Sequence, residues 1–162
     1  MSAGEPGVRA AVARTAYLHA CEVELRAFKP GNVSIHSEGH DMTVEDFRRS
    51  AAASAPFLCA VGLPVGERIF RAVEATRAVA GCNTNLGIVL LAAPLMLAFE
   101  TRSDHETLRT ALRRILDATT VDDADAVYRA IRLAQPGGLG EAPDQDVREA
   151  PKVTLREAMV LA

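Results

Sequence analysis

Apolar residues recur at helical spacing along nearly the whole chain, and strict strand alternation is almost nowhere. The spacing predicts a first helix from about Val8 to Ala27, with Ala11, Thr15, Leu18, Cys21 and Leu25 on one side. Thr43 reads as an N-cap with Asp46 in the first turn. The helix it opens carries Phe47, Ala51, Ser54 and Leu58 on one stripe, and Pro56 should bend or end it. Pro64 suits the start of a third helix, in which Ile69, Ala72, Val73 and Thr76 follow the i, i+3, i+4, i+7 pattern, and Gly81 is its stop. A helix also begins at the sequence GCNTNLG, residues 81–87, with Asn83, Thr84 or Asn85 as its cap. The apolar run behind it, Leu86 to Phe99, is shorter than the roughly 20 residues of a membrane span and reads as a buried helix.

A Ser103–Glu106 capping box then precedes a helix that buries Leu108, Ala111, Leu112, Ile115 and Leu116. The next helix runs from about Val121 to Ala134 with Ala124, Val127, Tyr128 and Ile131 inward. Residues 135–151, rich in Pro, Gly and acids, form a loop or linker. A second box, Thr154–Glu157, opens a helix that the sequence carries only to Ala162. The expected fold is therefore an all-α bundle of about six to seven helices with no significant sheet, in a single domain over residues 1–162. Its short last helix suggests either the N-terminal part of a longer domain or a partner subunit, such as a second copy, over the last turn.

Composition narrows the classes. With 162 residues the chain is long enough for one proper core. Aromatics make up 4% and there is no Trp, so the 49% hydrophobic content is mostly small and aliphatic, which favours helix. A formal net charge of −3 argues against a nucleic-acid partner, which needs a basic face. Cys21, Cys59 and Cys82 form no C-x-x-C pair and read as reduced thiols. The N-terminus lacks the basic-then-apolar order of a signal peptide. A cytoplasmic protein with no membrane partner is expected.

Two stretches carry candidate chemistry. The first turn of the helix after Asn83 leaves backbone amides without intrahelical partners, and with the positive dipole end they make an anion site. Gly87 would let a ligand approach the backbone. The second stretch is KPGNVS, residues 29–34, where Pro30 and Gly31 make a tight turn. Lys29 supplies a cation there, Asn32 a carboxamide and Ser34 a hydroxyl. Glu24 and Asp41 flank that turn, and Mg²⁺ bound with a triphosphate takes one or two carboxylates. Glu22, Glu45 and Asp46 read as solvated acids, and His36 and His40 lack zinc-ligand spacing. No Walker loop, dinucleotide fingerprint, G-x-S-x-G or H-E-x-x-H is present.

KPGNVS, DMTVEDFRRSAAA and VGERIFRAVEATRAVAGCNTNLGIVLLAAPL, in that order, resemble the triphosphoribosyl-dephospho-CoA synthase family over about residues 15 to 100, with a weaker echo at TLREAMVLA. Those enzymes are all-helical. They join ATP to 3′-dephospho-CoA and release adenine. Where they typically read Asn-Thr-His-Lys-Gly, this chain reads Asn83-Thr84-Asn85-Leu86-Gly87. The resemblance implies ATP and a dephospho-CoA-like acceptor as partners, and the need to bind a triphosphate implies Mg²⁺ as cofactor. It places Lys29, Gly31, Asn32, Ser34, Asn83, Thr84, Asn85 and Gly87 around the substrate, with Lys29, Asp41 and Glu24 as catalytic candidates and Glu24 and Asp41 as metal ligands. The alternatives are a non-catalytic helical module that binds a nucleotide or phosphate, and a relative acting on another phosphorylated cofactor precursor.

Overall fold

A computed structural model describes residues 6–27, 33–35, 42–140, 142 and 144–161. Among them lie seven helices: α1 (Pro6–Arg26), α2 (Val44–Leu58), α3 (Val65–Ala80), α4 (Leu86–Thr101), α5 (Leu108–Asp117), α6 (Val121–Ala134) and α7 (Leu155–Leu161). Isolated bridge residues at Ser34 and Met42 are the nearest approach to a strand among the described residues, so the expected all-α fold holds. No helix among them is long and apolar enough to cross a membrane.

Local rules account for most boundaries. Thr43 and Asp46 form a reciprocal capping box at α2, and Thr120 and Asp123 form another at α6. Thr154 and Glu157 close the expected box at α7. Gly81 ends α3 in the left-handed region at φ 70, a conformation that costs glycine nothing. Pro56 sits in the last turn of α2, which ends two residues later at Leu58, so the missing amide disturbs little.

Three expectations need correction. The buried line of α1 runs through Arg9, Ala13, Tyr17, Cys21 and Leu25, whereas Ala11 and Thr15 are exposed. A helix with Ala and Val on every side does not choose its own inner face, and the bulk of Tyr17 and Leu25 decides it. At α5 the cap is Thr107, whose hydroxyl accepts the Thr110 amide at 3.2 Å. Ser103 and Glu106 instead close a turn, and the Glu106 carboxylate reaches forward to Arg114 at 3.0 Å. Of the five α5 residues expected inside, Ala111 alone is fully buried, and Leu108 is exposed.

Helix α3 is the centre, packing on α2, α4 and α6, while α1 covers α2 and α4, and α7 closes on α6 and α5. The core is built of small and aliphatic side chains, with Leu58, Ile69, Ala72, Val73, Val89, Ala93, Val127 and Ala130 almost sealed from solvent. At the α3–α6 crossing the Gly66 amide donates to the Asp123 carboxylate at 2.7 Å. One guanidinium organises the other side of α3. Fully buried Arg68 donates to the carbonyls of Leu63 and Leu58 at 2.8 Å each and to Glu100 of α4 at 2.6 Å.

The approach at Gly66 gives a direct test. A Cβ there would stand 2.6 Å from the Asp123 backbone, which cannot yield without shifting α6. Gly66→Ala should therefore destabilise the fold by about 1–3 kcal/mol, the usual cost of overpacking, despite alanine's better helix propensity. Urea denaturation followed by circular dichroism measures this, and an unchanged midpoint would disprove the close crossing.

Candidate functional site

The N-terminal end of α4 opens into a cavity of about 330 Å³. It is lined by Glu24 of α1, Val33, Met42, Phe47 of α2, and the segment from Asn83 to Ile88. Two neighbouring stretches are brought here by backbone contacts. The Ile35 amide donates to the Leu25 carbonyl at 3.0 Å, pinning residues 33–35 on the end of α1. Met42 directly precedes the α2 cap.

The structure thus brings Glu24 together with Asn83, Thr84, Asn85 and Gly87, residues that lie far apart in the chain. Ser34 is buried in the same region but does not line the cavity. Lys29, Gly31, Asn32 and Asp41 lie outside the described residues, although Val33 and Met42, their immediate chain neighbours, both line it. Glu22 pairs with Arg48 at 2.9 Å across the outer face of α1 and α2, and Asp46 caps α2, so both have structural partners.

The helix end differs from the simple capped tip expected from sequence. Asn85 is the N-cap by position, yet its backbone lies at φ −144, ψ 18 and its side chain makes no cap bond. It points into the core, where Thr76 donates to its Oδ1 at 3.1 Å and its Nδ2 donates to Ser54 at 3.4 Å. Thr84 is also buried, and its hydroxyl proton goes to Ser50 at 2.7 Å. The cap is supplied by Asn83, whose Oδ1 accepts the Leu86 amide at 3.2 Å. The amides of Gly87 and Ile88 meet no acceptor among the described residues. Leu86 itself belongs to the hydrophobic core.

A hydroxyl network under the cavity was not legible as part of a site. Tyr17 meets Ser54 at 2.8 Å, Ser54 donates to the Ser50 carbonyl at 2.8 Å, and Ser50 donates to the Asp46 carbonyl at 2.6 Å. The signal available in sequence was the presence of Ser54 and Thr76 on stripes that otherwise read as core. Burial pushes the Tyr17 phenol up, so it keeps its proton at neutral pH. Burial likewise raises Cys21 and Cys59, and all three cysteines are free thiols, as expected.

Electrostatically the site is sparse. Among the described lining residues Glu24 is the one charged side chain, and the positive end of the α4 dipole is the main feature favouring an anion. No group of three or more His, Cys, Asp or Glu side chains could hold a metal among the described residues. One carboxylate with waters and substrate oxygens is nonetheless a usual Mg²⁺ arrangement, so Glu24 fits that ion when a triphosphate supplies the remaining ligands. A larger cavity of about 820 Å³ lies at the other end of α4, lined by Arg9, Glu100, Arg102 and Asp104 among others, and contains none of the expected residues.

These features define a class: an all-helical protein in which an apolar helix opens backbone amides into a cavity where, among the described residues, Glu24 is the one carboxylate. Over residues 10–162 the chain matches the family described as CitG, ATP:dephospho-CoA triphosphoribosyl transferase, and it belongs to that family. The match extends well beyond the stretch of about 15 to 100 in which the resemblance was legible. No curated protein and no solved structure matches the chain.

The cap of α2, which carries the Ser50–Thr84 contact, has a definite pH signature. Bonds from the Thr43 backbone and hydroxyl, and then from Arg49, lower the Asp46 carboxyl from 3.8 to about 2. A depressed carboxyl contributes stability that is present above its unfolded value and lost as pH falls through its folded one. Between about pH 4 and pH 2 the parent should therefore lose more thermal stability than Asp46→Asn. Melting curves across that window check it, and parallel losses would exclude Asp46 as the titrating cap.

Proposed function

We propose that this protein transfers the triphosphoribosyl group of ATP to the 2′-hydroxyl of 3′-dephospho-CoA, releasing adenine. Membership of the family gives the reaction class. The observation that carries the reading to this site is the pair of unpaired amides at Gly87 and Ile88, opening beside Glu24. A triphosphate is the part of ATP that such a helix end recognises.

In this reading the bond between C1′ of the ribose and N9 of adenine breaks as the acceptor oxygen bonds to C1′, through a transition state with oxocarbenium character. Adenine leaves with a proton, and the acceptor hydroxyl gives one up. The Gly87 and Ile88 amides and Lys29 hold the triphosphate, and Asn32 and Ser34 complete the turn beside it. Thr84 and Asn85 contribute by placing the helix end, since their side chains are committed inward. Glu24 and Asp41 are the candidates to hold Mg²⁺ or to accept the acceptor proton. Mg²⁺, when bound, would screen the triphosphate charge. Phe47, Met42 and Val33 give the cavity an apolar wall.

A second reading is favoured by one feature. Leu86 occupies the core, and no cationic side chain lines the cavity among the described residues. That suits a module that binds a nucleotide without turning it over. Chromatography of a reaction containing ATP, 3′-dephospho-CoA and Mg²⁺ separates the two. We expect adenine to appear in equal amount to the triphosphoribosylated product, with Glu24→Gln slower by about a hundredfold, the scale of a lost acid–base group. MgATP binding without any adenine release would select the binding module instead.

A further inference from the structure

We infer that Thr76, a residue of α3 that does not line the cavity, is a positioning residue that keeps the α4 amides open for the ligand. The inference rests on the reading that those amides receive the triphosphate.

Proton counting fixes the network. Ser54 has one hydroxyl proton and spends it on the Ser50 carbonyl. Tyr17 must then be the donor in its bond to Ser54. Ser54 can only accept from Asn85, so the carboxamide must turn its Nδ2 to Ser54. Thr76 supplies the one donor to the Asn85 oxygen. A helical threonine commonly returns its proton to a carbonyl one turn back. Thr76 gives its proton to Asn85 instead, and it is 2% exposed. The two serines each satisfy a carbonyl of their own helix, whereas the Thr76 hydroxyl serves Asn85 alone.

The consequence appears by comparison with the other polar caps. Thr43, Thr107 and Thr120 have extended backbones, and each accepts the amide three residues on. Asparagine is among the best caps, and a free Asn85 would take the amide of Gly87 or Ile88 in the same way. Thr76 and Ser54 hold the Asn85 side chain in the core, so it does not cap, while Asn83 closes only the Leu86 amide. The next two amides stay available. Removing the Thr76 hydroxyl would release Asn85 to cap its own helix and would close the anion site from within.

Inorganic tripolyphosphate with Mg²⁺ is the probe, because it tests phosphate recognition without the transfer reaction. In calorimetry Thr76→Val should bind it about five- to tenfold more weakly than the parent, and Thr76→Ser should restore binding. In amide exchange followed by NMR, Gly87 or Ile88 should become more protected in Thr76→Val without ligand, which a general loosening of the core cannot produce. Ser54→Ala, which removes the other anchor of Asn85, should move both readouts the same way. Val127→Ala, a core truncation in α6, should lower the melting temperature but leave tripolyphosphate affinity unchanged. Parent-like affinity in Thr76→Val and Ser54→Ala, or unprotected Gly87 and Ile88 amides in both, would overturn the inference. A parent that binds tripolyphosphate yet releases no adenine would sink the transferase reading and leave this one standing. A parent that binds neither tripolyphosphate nor MgATP would remove both.

Discussion

Helix α4 is apolar on nearly every side, and such a rod has no hydrophobic stripe to set its rotation. Polar contacts at its two ends do that instead. At the C-terminal end Glu100 is fixed by Arg68, whose other donors close the carbonyls at the end of α2 and in the α2–α3 connection. At the N-terminal end Asn83 takes the helix's own first amide, Thr84 reaches Ser50 of α2, and Asn85 reaches Thr76 of α3 and Ser54 of α2. A buried charge or carboxamide without its partner costs far more than a misplaced leucine. These few polar bonds therefore choose one orientation among many that the hydrophobic effect would accept.

The arrangement depends on close helix packing around α3. Small residues on its buried face, Gly66, Ala72 and Thr76, let neighbouring helices approach. At Gly66 the approach is near enough for a backbone amide to meet the Asp123 carboxylate, which also completes the α6 capping box. The same carboxylate thus caps one helix and docks another. Further along α3, the narrow spacing brings Thr76 within reach of Asn85. The α7 helix is tied in by backbone and hydroxyl groups at the α5–α6 turn: the Leu155 amide donates to Thr120 and the Arg156 amide to Thr119, each at 3.2 Å.

Chemically the cavity is economical. Its described walls offer amides, one carboxylate and an apolar face, and the positive end of the α4 dipole opens into it. A helix end of this kind suits phosphate oxygens. The family to which the chain belongs transfers triphosphoribosyl groups between ATP and dephospho-CoA. Leu86, the residue that follows Asn85 at this helix end, packs among the buried residues of the other helices.

Taken by itself, the sequence determined the elements. Helix periodicity, the cap at Thr43, the box at Thr154 and the stop at Gly81 act within three or four residues, so local rules suffice to find them. The same locality explains the error at Ser103–Glu106, where Arg114 competed for the acid from the far side of the turn. It also explains the misjudged face of α1, since small residues around a helix carry no directional signal. Which side chains meet across the bundle was decided only by the tertiary structure. Glu24 joins the GCNTNLG segment because α1 packs on α4, and Asn85 turns inward because Thr76 and Ser54, on two other helices, present a donor and an acceptor at its position. A carboxamide satisfies its hydrogen bonds wherever partners of the right kind are nearest, and that distance exists only once the helices are packed.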